Sequence, residues 1–410
     1  MRRPLLALLA LALSGCGGES AVAPVPGAAG DVREVVAHLE RTHPEPFHGV
    51  SRARFREAAD ALAARAPELD AAALLVELMR LGALPGARDG HTGIFPLDAH
   101  RRPLHLLPLR LYRFPAGWFV VAAVRRDELV GAKVVEIGGE PVAAVARRVA
   151  PLVPADNAWS RRARISQWLV VVEVLRGLGL EPEVELELDG RRSTYALEPL
   201  PAPRWAEAFP DIFHPMVPQG LPRRDSPAYL ARREEPWWTA SLAGGRVAYG
   251  ALNVTLGGVD ELARELEELA SRPRVERIVL DLRHNPGGNN FTYPVLLEVL
   301  RRAAERLELV VLIGRTTFSA AANLIAELER TTDARFVGEP SGGSPNLYGD
   351  PAATTLPASG WTFHAATIHW VKSRPGDPRL ALEPDVHVPL TAADFFAGRD
   401  PVLEHVLQPG

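Results

Sequence analysis

The stretch Gly314-Arg315-Thr316-Thr317-Phe318-Ser319-Ala320-Ala321-Ala322 follows the apolar run Val310–Ile313 and leads into a helix-like pattern through Arg330. A short apolar run, a polar turn and an amphipathic segment read as strand, turn and helix. Ser319 sits where the helix begins. Backbone N–H groups at that end lack intrahelical acceptors, so a hydroxyl there can attack while those groups hold a developing oxyanion. Read alone, the stretch favours the commoner use of such residues, an N-cap by Ser319 or Thr317.

Working outward strengthens the pattern. Val279-Leu280-Asp281-Leu282-Arg283 is a strand ending in charge, followed by His284-Asn285-Pro286-Gly287-Gly288-Asn289-Asn290. Two adjacent glycines let backbone approach a ligand closely, though an ordinary glycine turn is the plainer alternative. Arg246–Val254 reads as a strand, Asp260–Ala270 as an amphipathic helix, and Pro294–Arg306 as a helix with proline in its first turn. Strands alternating with helices imply an α/β core with βαβ units. Upstream, residues 31–85 carry helical spacing (Val35, Val36, Leu39; Leu74, Leu75, Leu78), broken at His43-Pro44-Glu45-Pro46. Leu106–Val124 and Ala132–Ile137 are strand-like, and Val184–Leu188 alternates before the hairpin signal Asp189-Gly190. Residues 201–240, rich in Pro, Trp and Arg, read as a linker or surface excursion.

The chain has 410 residues, a formal net charge of -4, 47% hydrophobic and 23% charged residues. Those are globular values and argue against a disordered chain or a nucleic-acid binder. Only two of the 46 basic residues are lysines, Lys133 and Lys372. Arg2 and Arg3 precede the apolar run Leu5–Leu13, too short to span a bilayer and suited to a secretory signal. That run ends in Leu13-Ser14-Gly15-Cys16, which resembles a bacterial lipobox, and Cys16 is the only cysteine. Lipidation at Cys16 would place the protein in the bacterial cell envelope, on the periplasmic or outer-membrane side. The Gly/Pro-rich stretch after it reads as a tether.

Arg88-Asp89-Gly90-His91-Thr92 adds a loop histidine able to shuttle protons near neutrality. Taken together, DLRHNPGG, GRTTFSAA, Val337-Gly338-Glu339-Pro340 and this DGHT resemble the S41 serine peptidases, the family of the tail-specific processing proteases and the tricorn core. The resemblance implies an S41-type (ClpP/crotonase-like) α/β core, an N-terminal helical region and a PDZ-like middle around Leu129–Val142. The resulting division is 1–15 signal peptide, 16–30 tether, 31–103 helical domain, 104–200 PDZ-like domain, 201–240 linker and 241–410 peptidase core.

By the same resemblance Ser319 is the nucleophile. Gly287 or Gly288, with Ala320, supplies the oxyanion hole. The lysine-base branch carries Gly-Lys-Gly shortly after Val-Gly-Glu; here Ser341-Gly342-Gly343-Ser344-Pro345 holds no lysine, and Lys372 lies outside that element. The tricorn-like branch uses a histidine, matched by His91, and a late acid, for which Asp377 is chosen with Glu383 as substitute. Gly90 replaces that branch's small hydroxyl residue before the histidine. Asp89 could instead position the DGHT loop. The expected activity is acyl-enzyme peptide hydrolysis on a polypeptide substrate, with its C-terminus captured by the PDZ-like domain as an analogy. No cofactor, metal or nucleic acid is implied. A peptide- or apolar-ligand-binding protein that has lost activity, and a small-ester esterase, are the alternatives. His364 and His369 fall on opposite faces of one strand-like run, and Arg161-Arg162-Ala163-Arg164 reads as a solvated helix face.

Overall fold

The computed structural model describes residues 24–209 and 227–408. Cys16, the signal-like run and most of the expected tether lie outside them. Three helices open the described chain: α1 (Ala28–Thr42), α2 (Arg52–Arg65) and α3 (Ala71–Gly82). The tether was expected to reach residue 30, but Val25 and Ala28 are buried and α1 already begins at Ala28. Apolar contacts pull this end of the tether into the body.

An antiparallel sheet follows, in the order β1 (Leu109–Phe114), β2 (Gly117–Ala123), β3 (Lys133–Ile137), β4 (Glu183–Leu188) and β5 (Arg191–Ala196). Between β3 and β4 run α4 (Val142–Val149) and α5 (Ala158–Trp168). The helices and this sheet do not have separate cores. Leu39, Leu75, Leu106, Val134, Val145 and Trp168 belong to one apolar cluster, which also takes in Trp361 and Phe363 from late in the chain.

The third unit is a six-stranded sheet. In chain order its strands are β6 (Trp237–Leu242), β7 (Val247–Leu252), β8 (Arg277–Asp281), β9 (Glu308–Ile313), β10 (Arg335–Gly338) and, much later, Val386–His387. Spatial order is the same read backwards, with the last strand beside β10. β7 to β10 and the last strand pair in parallel, and only β6 is antiparallel. β6 begins inside the segment expected to be a linker, because Trp238 packs on Tyr249 with ring centroids 4.9 Å apart. Period-two alternation divides the strand residues between two apolar layers. Ile278, Leu280, Leu309 and Val311 face α6 (Val259–Ala270), α7 (Pro294–Ala304) and α8 (Ala320–Thr331), whereas Val279, Val310 and Leu312 face α9 (Pro401–Leu407).

The run Phe363–Trp370 is not one strand. Thr362–Ala365 pairs with Ala352–Thr355, and Ile368–Val371 pairs with Asn346–Gly349. The break at Ala366 is held by Thr92, whose Oγ1 accepts the Ala366 N–H at 3.0 Å, and Gly93 bridges His364. These late segments therefore wrap the loop that carries His91.

Candidate active site

The parallel strands β8 and β9 end side by side, and the turns that follow them are stitched together. Thr316 Oγ1 donates to Arg283 O and Thr317 Oγ1 to Leu282 O, both at 2.7 Å. The Phe318 N–H donates to Asn285 O at 3.1 Å. Buried Asn285 braces its loop, donating from Nδ2 to Leu252 O at 2.9 Å and accepting the Gly287 N–H on Oδ1 at 2.8 Å. Gly287 and Gly288 have φ of 111° and 143°. A Cβ on Gly287 would lie 2.5 Å from the Ser319 Cβ, and one on Gly288 would lie 2.0 Å from Thr255 O. Only glycine fits at either position.

Ser319 has φ 53° and ψ -125°, a conformation L-residues avoid. A strained serine between a strand and a helix is the geometry of a nucleophile elbow, with the hydroxyl standing clear of its own backbone. Neither Ser319 nor Thr317 caps α8. The Ser319 side chain makes no cap bond, and Thr317 is spent on Leu282 and the Gly314 N–H. Ser319 Oγ lies 3.1 Å from His91 Nε2, across 228 residues of sequence.

His91 is held from several directions. Its half-buried ring stacks on Phe318 with centroids 4.7 Å apart and an interplanar angle of 23°. Its loop is fixed by Asp89, whose Oδ1 accepts the N–H groups of His91 (3.4 Å) and Thr92 (3.0 Å). The Gly90 peptide is gripped at both ends. Its N–H donates to Asp156 Oδ1 at 2.7 Å, and its carbonyl accepts from Arg164 Nη1 at 2.6 Å. Arg164 also lies over the Phe318 ring, 4.4 Å from its centroid. A Cβ on Gly90 would meet Phe318 Cζ at 2.8 Å and Asp156 Oδ1 at 3.0 Å, so no hydroxyl-bearing side chain fits there.

Electrostatics follow from this packing. Burial pulls the His91 pKa down to about 4, helped by the Arg164 charge and opposed by Asp89 and the Tyr348 backbone. The imidazole is thus neutral at neutral pH, as a base must be. Burial likewise pushes the Asp156 carboxyl up to about 7, against the N–H groups of Ser344 and Gly90 that favour its anion.

The expected acids do not reach His91. The Asp377 carboxylate is committed to Arg379 (2.8 Å) and Ser373 Oγ (2.6 Å), and the Arg379 bond holds it well below the usual range. None of its hydrogen bonds goes to His91. Glu383 is exposed. The acid that stands by the His91 loop is Asp89, buried, with Oδ2 3.2 Å from Nε2 of buried His43. Gly287 also departs from expectation, since its N–H is taken by Asn285. The N–H groups of Gly288 and Ala320 donate to no acceptor among the described residues. Lys372 donates to Glu327 Oε1 at 2.6 Å, an α8 residue two turns beyond Ser319.

Sequence reading missed Asp156 and Arg164. Their available signal was local: Asn157 caps α5 in a capping box, and the Ser160–Arg164 spacing sets Arg164 on the same face as Ser160. That face looks at the site, and Arg164 is buried there rather than solvated.

This fold is shared with solved serine peptidases. Over 93% of its length the chain superposes on 96% of mature CPAF, with a TM-score of 0.62 and 13% identity. A mature CPAF bound to lactacystin gives 0.60 at 12% identity, covering 93% of this chain and 97% of that one. The photosystem II D1 C-terminal processing protease aligns at 16% identity and a TM-score of 0.44, covering 92% and 99%. No protein-family model matches the sequence, and no curated protein matches it. At such identities the likeness is one of fold: the chain has the S41 serine-peptidase fold.

Proposed function

We propose that the chain is a serine peptidase in which Ser319 is the nucleophile and His91 the base. The observation that carries this reading is the 3.1 Å approach of His91 Nε2 to Oγ of a strained, uncapped serine. His91 takes the Ser319 proton as Oγ attacks the scissile carbonyl carbon. The oxyanion rests on the N–H groups of Gly288 and Ala320. As the intermediate collapses, the imidazolium returns the proton to the leaving amine. Water, activated by the same imidazole, then releases the acyl group. Acceptance of a proton at Nε2 requires the tautomer with hydrogen on Nδ1. Asp89 takes the part expected of Asp377. Its carboxylate fixes the loop backbone and favours the imidazolium through space.

Polypeptide is the substrate class that the fold supports. Capture of a substrate C-terminus by the middle domain, lipidation at Cys16 and residence in the cell envelope complete the proposal. They rest on the Leu129–Val142 segment and on Leu13-Ser14-Gly15-Cys16. The decisive experiment is labelling by a fluorophosphonate probe. Wild type should be labelled, Ser319→Ala should not, and His91→Ala should label at least about 1,000-fold more slowly. A well-folded wild type that resists the probe would sink the reading.

A further inference from the structure

Many arginines of the chain have a carboxylate partner. Arg56 pairs with Glu40, Arg148 with Glu140, Arg302 with Glu267 and Arg315 with Glu339. Four neighbours in one place do not. Arg113 on β1, Arg147 on α4, and Arg161 and Arg162 on α5 line a single groove of about 340 Å³. None of the four side chains makes a hydrogen bond or ion pair with a described residue. No Asp or Glu lines the groove. The carboxylate that Arg162 does feel, Glu339, is held by Arg315 through two bonds of 2.7 Å.

Arg113, Arg161 and Arg162 are only partly exposed. Burial weakens the hold of each on its proton, and Arg113 is pushed further by the charges of Arg162 and Arg315. Concentrating like charges in a half-buried place is unfavourable for the free protein, and an anionic partner relieves it. Two of the four are stiffened for such a partner. Arg113 lies over the Trp118 ring at 4.6 Å, and Arg162 over Trp159 at 4.7 Å. The floor between them is apolar, with Trp118, Ile165 and several alanines. Guanidinium groups around an apolar floor match a chain that alternates carboxylates with apolar side chains.

We propose that this groove is an exosite for an acidic segment of the polypeptide substrate. Its position suits that use. Arg161 and Arg162 project into the groove from α5, the same helix whose Arg164 holds the Gly90 carbonyl beside His91. The inference rests on the peptidase reading only in calling the bound chain a substrate.

The test is fluorescence anisotropy with the full chain carrying Ser319→Ala, so that no probe is cut. The probe is a decapeptide alternating Glu and Leu, acetylated and amidated so that its only charges are side-chain carboxylates. At low salt it should bind at least tenfold more tightly than the same peptide with Gln for Glu, and salt should weaken it. Arg161→Gln with Arg162→Gln should erase the difference while leaving the melting temperature unchanged or raised. Arg147→Gln, at an exposed position, is the second variant and should weaken binding severalfold. Equal binding of the Glu and Gln peptides would overturn the proposal, as would undiminished binding by both variants. Displacement of the Glu peptide only by a Gln peptide with a free C-terminal carboxylate, or only by inorganic phosphate, would also overturn it in favour of that anion. Because binding is read without turnover, its failure leaves the fluorophosphonate result untouched, and the reverse holds too.

Discussion

Asp89 Oδ2 faces His43 Nε2 at 3.2 Å, with both side chains sealed from solvent. His43 Nδ1 accepts the Glu45 N–H at 3.0 Å, which leaves the ring hydrogen on Nε2, the nitrogen that faces Asp89. The other carboxylate oxygen fixes the backbone of His91 and Thr92. Asp89→Asn keeps an oxygen for those two N–H groups but loses the charge, and it sets an NH₂ against the His43 ring. The expected result is a stability loss of about 1–3 kcal/mol by denaturant titration. Fluorophosphonate labelling should slow by roughly 10-fold or more, because the imidazolium loses the carboxylate charge that favours it. An unchanged labelling rate would remove Asp89 from the mechanism.

How far the sequence reaches can be judged at these same residues. The strand, turn and helix around Ser319 were legible because all three are local, within about a dozen residues, whereas its reading as a nucleophile needed the family resemblance. The two glycines, being local too, were legible. Asp377 was expected beside His91, but a carboxylate's partner is a tertiary fact. Asp377 sits at a suitable distance along the chain, yet Arg379, two residues on, captures it. Arg161 to Arg164 looked like a solvated run because sequence shows only that one side of a helix is charged. It does not show that Arg161 and Arg162 share a groove with residues of β1 and α4, or that Arg164 lies over the Phe318 ring. A shared core is likewise invisible in the sequence. Helical and sheet patterns change near residue 104, but both sets of apolar residues fill one core.

The pH dependence of labelling should report His91 directly. Its pKa in the folded protein is lowered to about 4, so the reactive neutral form persists well below pH 6. Rates should hold roughly constant from pH 7 down to about 5 and fall as pH drops through about 4. An acid limb centred near the ordinary histidine value of about 6.5 would show that the ring is not desolvated as described.

Gly287 should tolerate nothing larger than hydrogen. An added methyl would overlap Ser319 Cβ at 2.5 Å and would also occupy φ 111°. Gly287→Ala is therefore expected to displace the elbow and cut labelling by at least about 100-fold. Its circular dichroism should stay native, since the change lies in a loop. Retained labelling would mean that the loop has room that the geometry denies.

The clamp on Gly90 separates positioning from folding. Asp156 accepts the N–H groups of Gly90 (2.7 Å) and Ser344 (2.9 Å), which tie the His91 loop to the segment behind Ser319. Asp156→Ala leaves both donors buried and unpaired, at a cost of about 1–3 kcal/mol. Asp156→Asn keeps one acceptor and meets the other donor with NH₂, so its cost should be smaller. If Asp156 acts by placing His91, kcat for a peptide substrate should fall more than KM changes in both variants. Asn should recover part of the Ala loss. If it serves only the fold, the melting temperature will drop while kcat at a permissive temperature stays at the wild-type value. The first pattern is expected, because the Asp156 carboxylate and the Arg164 guanidinium hold opposite ends of the residue directly before the base.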